Sequence, residues 1–471
     1  MNCKQGVYLL TICALLAGCS GDTPAHPKHL LLICMDTVRA DTFYQLGEAR
    51  ADALTPWLDE GLVFTQAHST APWTVPSIAS VFTGLSVPHH GAGTFEGMYG
   101  LLRKAPPGQL RGTATTMAEV LSEQANFATT VVSASAWTSL AGMTLGLVRG
   151  FDEVSRHAMS GMETSWQPLL DDWRARLREN TNGSRHYHYV HLMEAHNWHM
   201  ASLEGIATML DTMPAPERDI YRDIAPAGIC EDETFYLCRM FQVYASAVRA
   251  ERQAIAEVLD TLHEENLLND TLVVVFSDHG EEFRDHADDG RDLSFGHPYT
   301  HYLGHGRTLY QEQLHVPLLI WLPGAAGATI EAPVSLLDIA PTVLNWLGIE
   351  FVAEDWEGEK LDDYLEDPAA HADRVLYATG MSKGPQQVSA RQGAHKSIWN
   401  LVTDHTQYFD LVTDPLELDP EPTDALVMKF DGHFVDFVQN VPKVTVEPGV
   451  LSDEQVRHLQ SIGYLQGVET E

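Results

Sequence analysis

Three stretches of this chain carry side chains able to act together around a metal ion. Asp36 ends an apolar run from His29 to Met35 (HLLLICM), and Asp278 with His279 ends a second, Leu272 to Phe276 (LVVVF). Gly280 follows and permits a tight exit from that second run. Two carboxylates and an imidazole, delivered from points over 240 residues apart, suit a divalent cation. The bland alternatives are a helix cap for Asp36 and a structural turn for Asp278 and His279. The third stretch, 69–84 (STAPWTVPSIASVFTG), is rich in hydroxyls, is interrupted by Pro72 and Pro76, and then becomes helical. Such a segment can set a hydroxyl at a helix N-terminus, where the helix dipole and a nearby cation favour the alkoxide.

These residues need a sheet to bring them together. His29 to Met35, Phe127 to Val132, Tyr187 to Leu192, Leu272 to Phe276 and Val316 to Leu322 read as strands. Thr115 to Gln124, with Thr115 as cap, Trp166 to Leu177 and Leu336 to Leu347 read as helices. Val243, Ala247, Ala250, Ala254, Val258 and Leu262 repeat at helical steps, and Asn269 and Asp270 are expected to stop that helix. Strands alternating with helices predict an α/β fold with a mostly parallel central sheet flanked by helices. Sites in such sheets lie beyond the carboxyl ends of the strands, where Asp36, Asp278 and His279 stand. The pattern weakens after residue 349 and acidic loops increase. The expected organisation is therefore a main domain over 29–348 and a smaller α+β subdomain over 349–471.

The chain has 471 residues and a formal net charge of −36. That acidity excludes non-specific nucleic-acid binding and charge-driven docking on anionic lipid. An anionic substrate would need a local reversal of the field, which a bound cation provides. Lys4 and the short apolar run Val7 to Leu16 read as a signal peptide over 1–18, too short for an ordinary membrane span. Leu16-Ala17-Gly18-Cys19 resembles a bacterial lipobox, with lipid on Cys19 and a tether over 19–28; Ser20 resembles the outer-membrane sorting pattern. The expected location is thus outside the cytoplasm, anchored by lipid alone on the periplasmic or surface face of an outer membrane. In that oxidising setting Cys230 and Cys238 are candidates for a disulfide, and Cys34 reads as an inert buried thiol.

Nine segments, in order, resemble the sulfatase branch of the alkaline-phosphatase superfamily: LLLICMDTVRAD (30–41), TAPWTVPSIASVFTGLSVPHHG (70–91), TMAEVL (116–121), GFDEV (150–154), YVHLMEAH (189–196), VVVFSDHGEEF (273–283), LGHGRTLYQEQLHVPLLI (303–320), LLDIAPTVLNWLG (336–348) and YFDLVTDPLE (408–417). The resemblance implies that fold, and an enzyme that hydrolyses sulfuric or phosphoric esters. Asp36 matches the family's first metal-binding Asp, but the second of its usual pair falls on Thr37. The nucleophile position falls on Thr74, which cannot become formylglycine as Cys or Ser can, and the motif Arg is replaced by Ile78. Ser77 or Ser80 is the alternative hydroxyl. A Gly-Lys-x-His-Leu-Gly motif is missing between Thr130 and Gly146. His196 matches a contact to the ester anion, Asp278 matches a metal ligand, His279 stands where the family often has Asn, and His305 lies near the family's leaving-group Lys.

The resemblance therefore implies one divalent cation (calcium, manganese, magnesium or zinc) on Asp36, Thr74, Asp278 and His279. A Thr74 alkoxide attacks in line, His196 holds an oxygen and His305 acts as general acid. Sulfate and phosphate remain open, as does the carrier: glycan, lipid or small molecule. The rival readings are a phosphoglycerol- or phosphoethanolamine-type transferase, and a binding protein that kept the fold. His286, His297 and His301 lie in a histidine-dense stretch that forms either a solvated loop or a second metal site.

Overall fold

The computed structural model describes residues 26–94, 107–157, 166–179, 183–200, 203–226, 228–231, 236–286, 303–351, 356–383, 385–420, 422–440 and 448–461. Its strands are β1 (His29–Met35), β2 (Leu62–His68), β3 (Phe127–Ser133), β4 (Glu153–Arg156), β5 (Arg185–Leu192), β6 (Thr271–Ser277), β7 (Glu282–Phe283), β8 (Leu303–Gly304), β9 (His315–Trp321), β10 (Ala328–Ile330), β11 (Val334–Ser335), β12 (Val375–Ala378), β13 (Gln387–Gln392), β14 (His395–Asn400) and β15 (His405–Asp410). The main sheet runs β10-β2-β9-β6-β1-β5-β3-β4, with β11 beside β2. All its pairings are parallel except those of β9, which runs antiparallel to β2 and β6. The chain leaves β6 at the carboxyl edge of the sheet and enters β9 from that same edge. It therefore returns antiparallel, with no crossover to the far edge.

β1 is central and buried on both faces, which is why it reads as an unbroken apolar run. Its alternate residues divide between two cores. Leu31, Ile33 and Met35 pack with Phe43, Trp173, Phe241, Tyr244 and Leu259, from the helices Ala40–Ala49, Trp166–Glu179 and Tyr236–Glu264. Leu30, Leu32 and Cys34 pack with Ile78, Phe82, Met117, Leu121 and Val343, from Thr74–Thr83, Met117–Ala125 and Ile339–Trp346. The Met117–Ala125 helix is capped by Thr116, with Glu119 closing a capping box, rather than by Thr115. The long helix ends at Glu264, earlier than expected, and the chain turns at Asn266, whose φ is 58°. Among the described residues no helix is long and apolar enough to cross a membrane.

Beyond residue 349 the first segment completes the main core, with Leu361 and Tyr364 packed on the second face. Buried Asp338 ties that junction. It accepts from the backbone N–H groups of Ser335 and Glu359 and pairs with both Arg374 nitrogens, at 2.7 and 2.8 Å. The antiparallel sheet β12-β13-β14-β15 then carries the Asp424–Asn440 helix on Phe430 and Phe434. The Asp453–Ser461 helix returns to the main domain, placing Val456 and Leu459 in a cluster with Trp73 and Val75.

Candidate active site

β1 and β6 are neighbours in register, Met35 opposite Ser277, so Asp36 and Asp278 leave the sheet side by side. Asp36, Asp278 and His279 are fully buried, and their ligand atoms lie within 4.8 Å of one another. Each carboxylate is half satisfied. Asp36 Oδ2 accepts from His191 Nε2 at 3.1 Å, while its Oδ1 has no partner. Asp278 Oδ1 accepts from the backbone N–H groups of Thr37 and His279, at 3.3 and 3.0 Å, while its Oδ2 has no partner. His279 Nε2 lies 3.6 Å from the open Asp36 oxygen and 3.5 Å from the open Asp278 oxygen. Its Nδ1 donates to the Gly280 carbonyl at 2.9 Å, which leaves Nε2 as a lone-pair donor.

Two buried carboxylates, each with an open oxygen and facing a basic imidazole nitrogen, are unfavourable alone and fit a divalent cation well. Burial and then Asp36 push the Asp278 carboxyl up to about 6. Burial acts the same way on Asp36, but His196, His191 and His279 outweigh it and hold that carboxyl below the ordinary range.

Thr74 is the first residue of the Thr74–Thr83 helix, with Trp73 extended before it. Its hydroxyl donates to Asp36 Oδ2 at 3.5 Å and lies 3.4 Å from His279 Nε2. The rival hydroxyls are committed elsewhere. Ser77 Oγ donates to the Asp278 carbonyl at 2.7 Å and accepts from Ser69 Oγ at 3.0 Å. Ser80 Oγ accepts from Thr70 Oγ1 at 2.9 Å and meets His90 Nε2 at 3.1 Å. Both act as braces, and Thr74 is the hydroxyl presented to the carboxylates.

The supporting turns are tightly specified. Thr37 follows Asp36 and adopts φ 66°, where a β-branched residue is strained by about 1–3 kcal/mol. Its carbonyl accepts from the Tyr244 hydroxyl at 2.9 Å, and its N–H is one of the two donors to Asp278. Ser277 Oγ accepts from the Val38 N–H at 2.8 Å and donates to the His279 carbonyl at 2.7 Å. Buried Arg39 donates to the Glu281 carbonyl at 3.2 Å and to Asp285 at 2.9 Å. A Cβ on Gly280 would sit 2.0 Å from the Glu312 carbonyl oxygen, so glycine is required there by close approach.

Three further histidines gather at this edge. His196, in the turn Ala195–Met200 after β5, has its ring 5.3 Å from that of His305, and the His305 ring lies 4.5 Å from that of His279. His191 is the member that sequence reasoning missed. It donates to Asp36 through Nε2 and takes Tyr189 Oη at 2.7 Å and Thr138 Oγ1 at 3.3 Å on Nδ1. His186, on the opposite face of β5, is buried and stacks on His29 at 5.1 Å. Glu281 was also missed: buried, it faces His305 Nδ1 at 3.2 Å.

Of the remaining candidates Cys34 borders this cluster, its Sγ within 4.8 Å of ligand atoms of His191 and Asp278. Cys230 and Cys238 form a disulfide, with Cα atoms 4.8 Å apart. Cys34 is buried with its thiol pushed up by burial, then by Asp278 and Asp36. Cys19, His297 and His301 lie outside the described residues. His286 has a structural place: Nδ1 faces Glu312 Oε1 at 3.2 Å, Nε2 faces the Leu416 and Glu417 carbonyls at 3.0 and 3.2 Å, and the ring stacks on Tyr310. Both its nitrogens thus meet acceptors, which suits the imidazolium. Burial alone would lower this group, but Glu312 outweighs it and raises it from 6.5 to about 9. Burial likewise opposes, and His286 then Arg39 overcome, so that Glu312 is held below its ordinary value. A folded value above the unfolded one stabilises fully below about pH 6.5 and is lost as pH rises through about 9. The melting temperature should therefore fall more steeply between pH 7 and pH 10 in the wild type than in His286→Gln. Equal slopes in the two pH–melting curves would contradict it.

The family model described as Sulfatase matches residues 28–349. The chain is 32% identical over 170 residues to a choline-sulfatase of Rhizobium meliloti (strain 1021), covering 35% of this chain and 30% of that protein. The matched stretch thus spans less than a third of that relative's length. Among solved structures, a protein in complex with its substrate D-glucosamine-2-N,6-O-disulfate superposes with a TM-score of 0.62 at 17% identity, covering 88% of this chain and 97% of that one. A phosphonate monoester hydrolase of Agrobacterium radiobacter gives 0.62 at 17% identity, covering 88% and 95%. At such identities the structural likeness establishes the fold.

Proposed function

Because this chain belongs to the sulfatase family, we propose that it is a metal-dependent hydrolase of a sulfate or phosphate ester, with Thr74 as nucleophile. One observation carries the reading: a buried hydroxyl at a helix N-terminus lies 3.5 Å from Asp36 and 3.4 Å from His279, beside two open carboxylate oxygens. A divalent cation held by Asp36, Asp278 and His279 supplies positive charge that makes the Thr74 hydroxyl more acidic and neutralises an anionic ester. The mixed donor set suits manganese or zinc as well as calcium or magnesium.

The chain's own residues perform the rest. Asp36 takes the Thr74 hydroxyl as a hydrogen-bond donor and orients its oxygen, while the helix dipole favours the developing charge. Thr74 Oγ1 gives up its proton to solvent and attacks sulfur or phosphorus in line, the bond to the leaving oxygen breaks with its electron pair on that oxygen, and His305 gives that oxygen a proton. His196 steadies a non-bridging oxygen. Water then attacks the Thr74 ester and gives a proton to His305, sulfate or phosphate is released, and the departing Thr74 oxygen regains a proton from solvent. Formylglycine has no part here, because Thr74 carries a methyl group on Cβ and its oxidation would give a ketone rather than an aldehyde. With Thr37 in place of a second adjacent Asp the site carries one carboxylate fewer, which favours the more highly charged phosphoryl group.

Relatives are named for a sulfate ester and for phosphonate monoesters, and one acts on a disulfated glucosamine. An anionic ester on a glycan, lipid or small molecule is accordingly the proposed substrate class. The test is hydrolysis of nitrophenyl sulfate, nitrophenyl phosphate and a nitrophenyl phosphodiester by protein loaded separately with calcium, manganese, magnesium or zinc. Turnover of a phosphate ester is the expected result. Silence on all three with metal bound would overturn the reading. We further propose export and lipid anchorage through Cys19, a setting the Cys230–Cys238 disulfide suits. Cys19→Ala should move the protein from the membrane fraction to the soluble one, and an unchanged distribution would refute the anchor.

A further inference from the structure

Glu281 lies two residues past His279, at the start of the turn into β7. It is 1% exposed, an unusual place for a carboxylate in a chain with 65 acidic residues. Its carboxylate faces two ring N–H groups. Oε1 faces His305 Nδ1 at 3.2 Å, and Oε2 accepts from the indole N–H of Trp198 at 3.0 Å and lies 3.4 Å from His305 Nδ1. The pairing follows from the backbone: β7 and β8 pair antiparallel, Glu282 opposite Gly304, which sets Glu281 against His305. Trp198 arrives from the turn that also carries His196, and its ring packs on Phe283 at 4.9 Å. Three segments, 195–200, 281–283 and 303–305, thus converge on one carboxylate.

We propose that Glu281 is the positioning residue of His305. It holds the ring by Nδ1 so that Nε2 is the nitrogen offered to the leaving oxygen of the ester, and Trp198 fixes the carboxylate that does so. This rests on the reading of His305 as general acid. In that step the bond from sulfur or phosphorus to the leaving oxygen breaks, its electron pair stays on that oxygen, and Nε2 supplies the proton. The water of the second half-reaction returns a proton to the ring. A carboxylate is specifically required, because it meets two N–H donors with two acceptors. Glutamine at this position keeps one oxygen and turns an NH2 donor toward the same two N–H groups, so Trp198 and His305 compete for that oxygen.

The test compares esters of one phosphoryl or sulfuryl group with activated nitrophenyl and poor alkyl leaving groups, together with the 15N shifts of His305 in histidine-labelled protein. Glu281→Gln should lose at least about tenfold in kcat on the alkyl ester and far less on the nitrophenyl ester, since only a poor leaving group needs a proton. His305→Ala should show the same split. Trp198→Phe added to Glu281→Gln frees the single acceptor for His305 and should restore part of the alkyl-ester rate. The His305 Nδ1 resonance should move in Glu281→Gln and return toward wild type in the double variant. Equal slowing of both esters, or no rescue by Trp198→Phe, would overturn the proposal. If the wild type turns over no ester, the hydrolase reading fails, and an Nδ1 resonance indifferent to Glu281→Gln would then refute the positioning role by itself.

Discussion

Thr74→Ala is expected to lower turnover of any ester this protein hydrolyses by at least about a thousandfold while leaving metal content unchanged. The size follows from both serine hydroxyls of the Thr74–Thr83 helix being committed to other partners. Ser77 Oγ is committed to the Asp278 carbonyl and Ser69, and Ser80 Oγ to Thr70 and His90. The selectivity follows from the donor set: Asp36, Asp278 and His279 keep their open atoms when the hydroxyl is removed. The fold should also tolerate the change, because Thr74 donates only one long hydrogen bond, at 3.5 Å, and alanine is a better helix residue. Thr74→Ser is the informative partner. It retains an oxygen of the same reach and should retain measurable turnover, at a cost set by the lost methyl group. Metal analysis, a melting curve and single-turnover rates on the two variants check all three points. A Thr74→Ala protein of full activity would end the nucleophile assignment.

Much of this site was legible before the structure because the strands that carry it are buried on both faces. Such strands read as uninterrupted apolar runs, and a charged residue at the end of one stands out. Asp36 and the Asp278-His279 pair are found in this way. β2 escaped because Thr65 and Gln66 interrupt its apolar pattern and its pairing with β9 shifts register between Phe64 and Ala67. The direction of β9 was equally unreadable, since its composition is that of any buried strand.

The missed site residues share a different reason. Alternation along β5 does place His191 on the face opposite His186 and His188. What it meets there depends on the neighbouring strand, and only the register of β5 against β1, with Cys34 opposite His191, brings it to Asp36. Glu281 sits in an acidic run that composition alone would assign to solvent. Its burial comes from Trp198, 83 residues before it, and His305, 24 after. Thr37 marks the reverse case. Aligned with the family it is only a lost carboxylate, but its left-handed backbone directs an N–H onto Asp278 and so helps leave the other oxygen of that residue open.

That open oxygen sets up a trade between stability and binding. Asp36 and Asp278 are buried together, and burial and Asp36 both disfavour the charged form of Asp278. In metal-free protein the pair is a liability, as buried like charges are. Asp278→Asn removes one of the two charges while keeping the side-chain oxygen that accepts from Thr37 and His279. The metal-free variant should therefore melt no lower than the metal-free wild type. Saturating metal should separate them in the other direction. At a hundredfold excess over its dissociation constant a ligand stabilises the protein that binds it by about 2.7 kcal/mol. The wild type should gain that increment and Asp278→Asn little of it, with activity lost by at least about a thousandfold because the charge that acidifies Thr74 is no longer held. Melting curves with and without each of the four cations read both effects without any assay of catalysis. A variant that loses stability in the metal-free state, yet gains as much from metal as the wild type, would place the cation elsewhere and leave Asp278 a structural carboxylate.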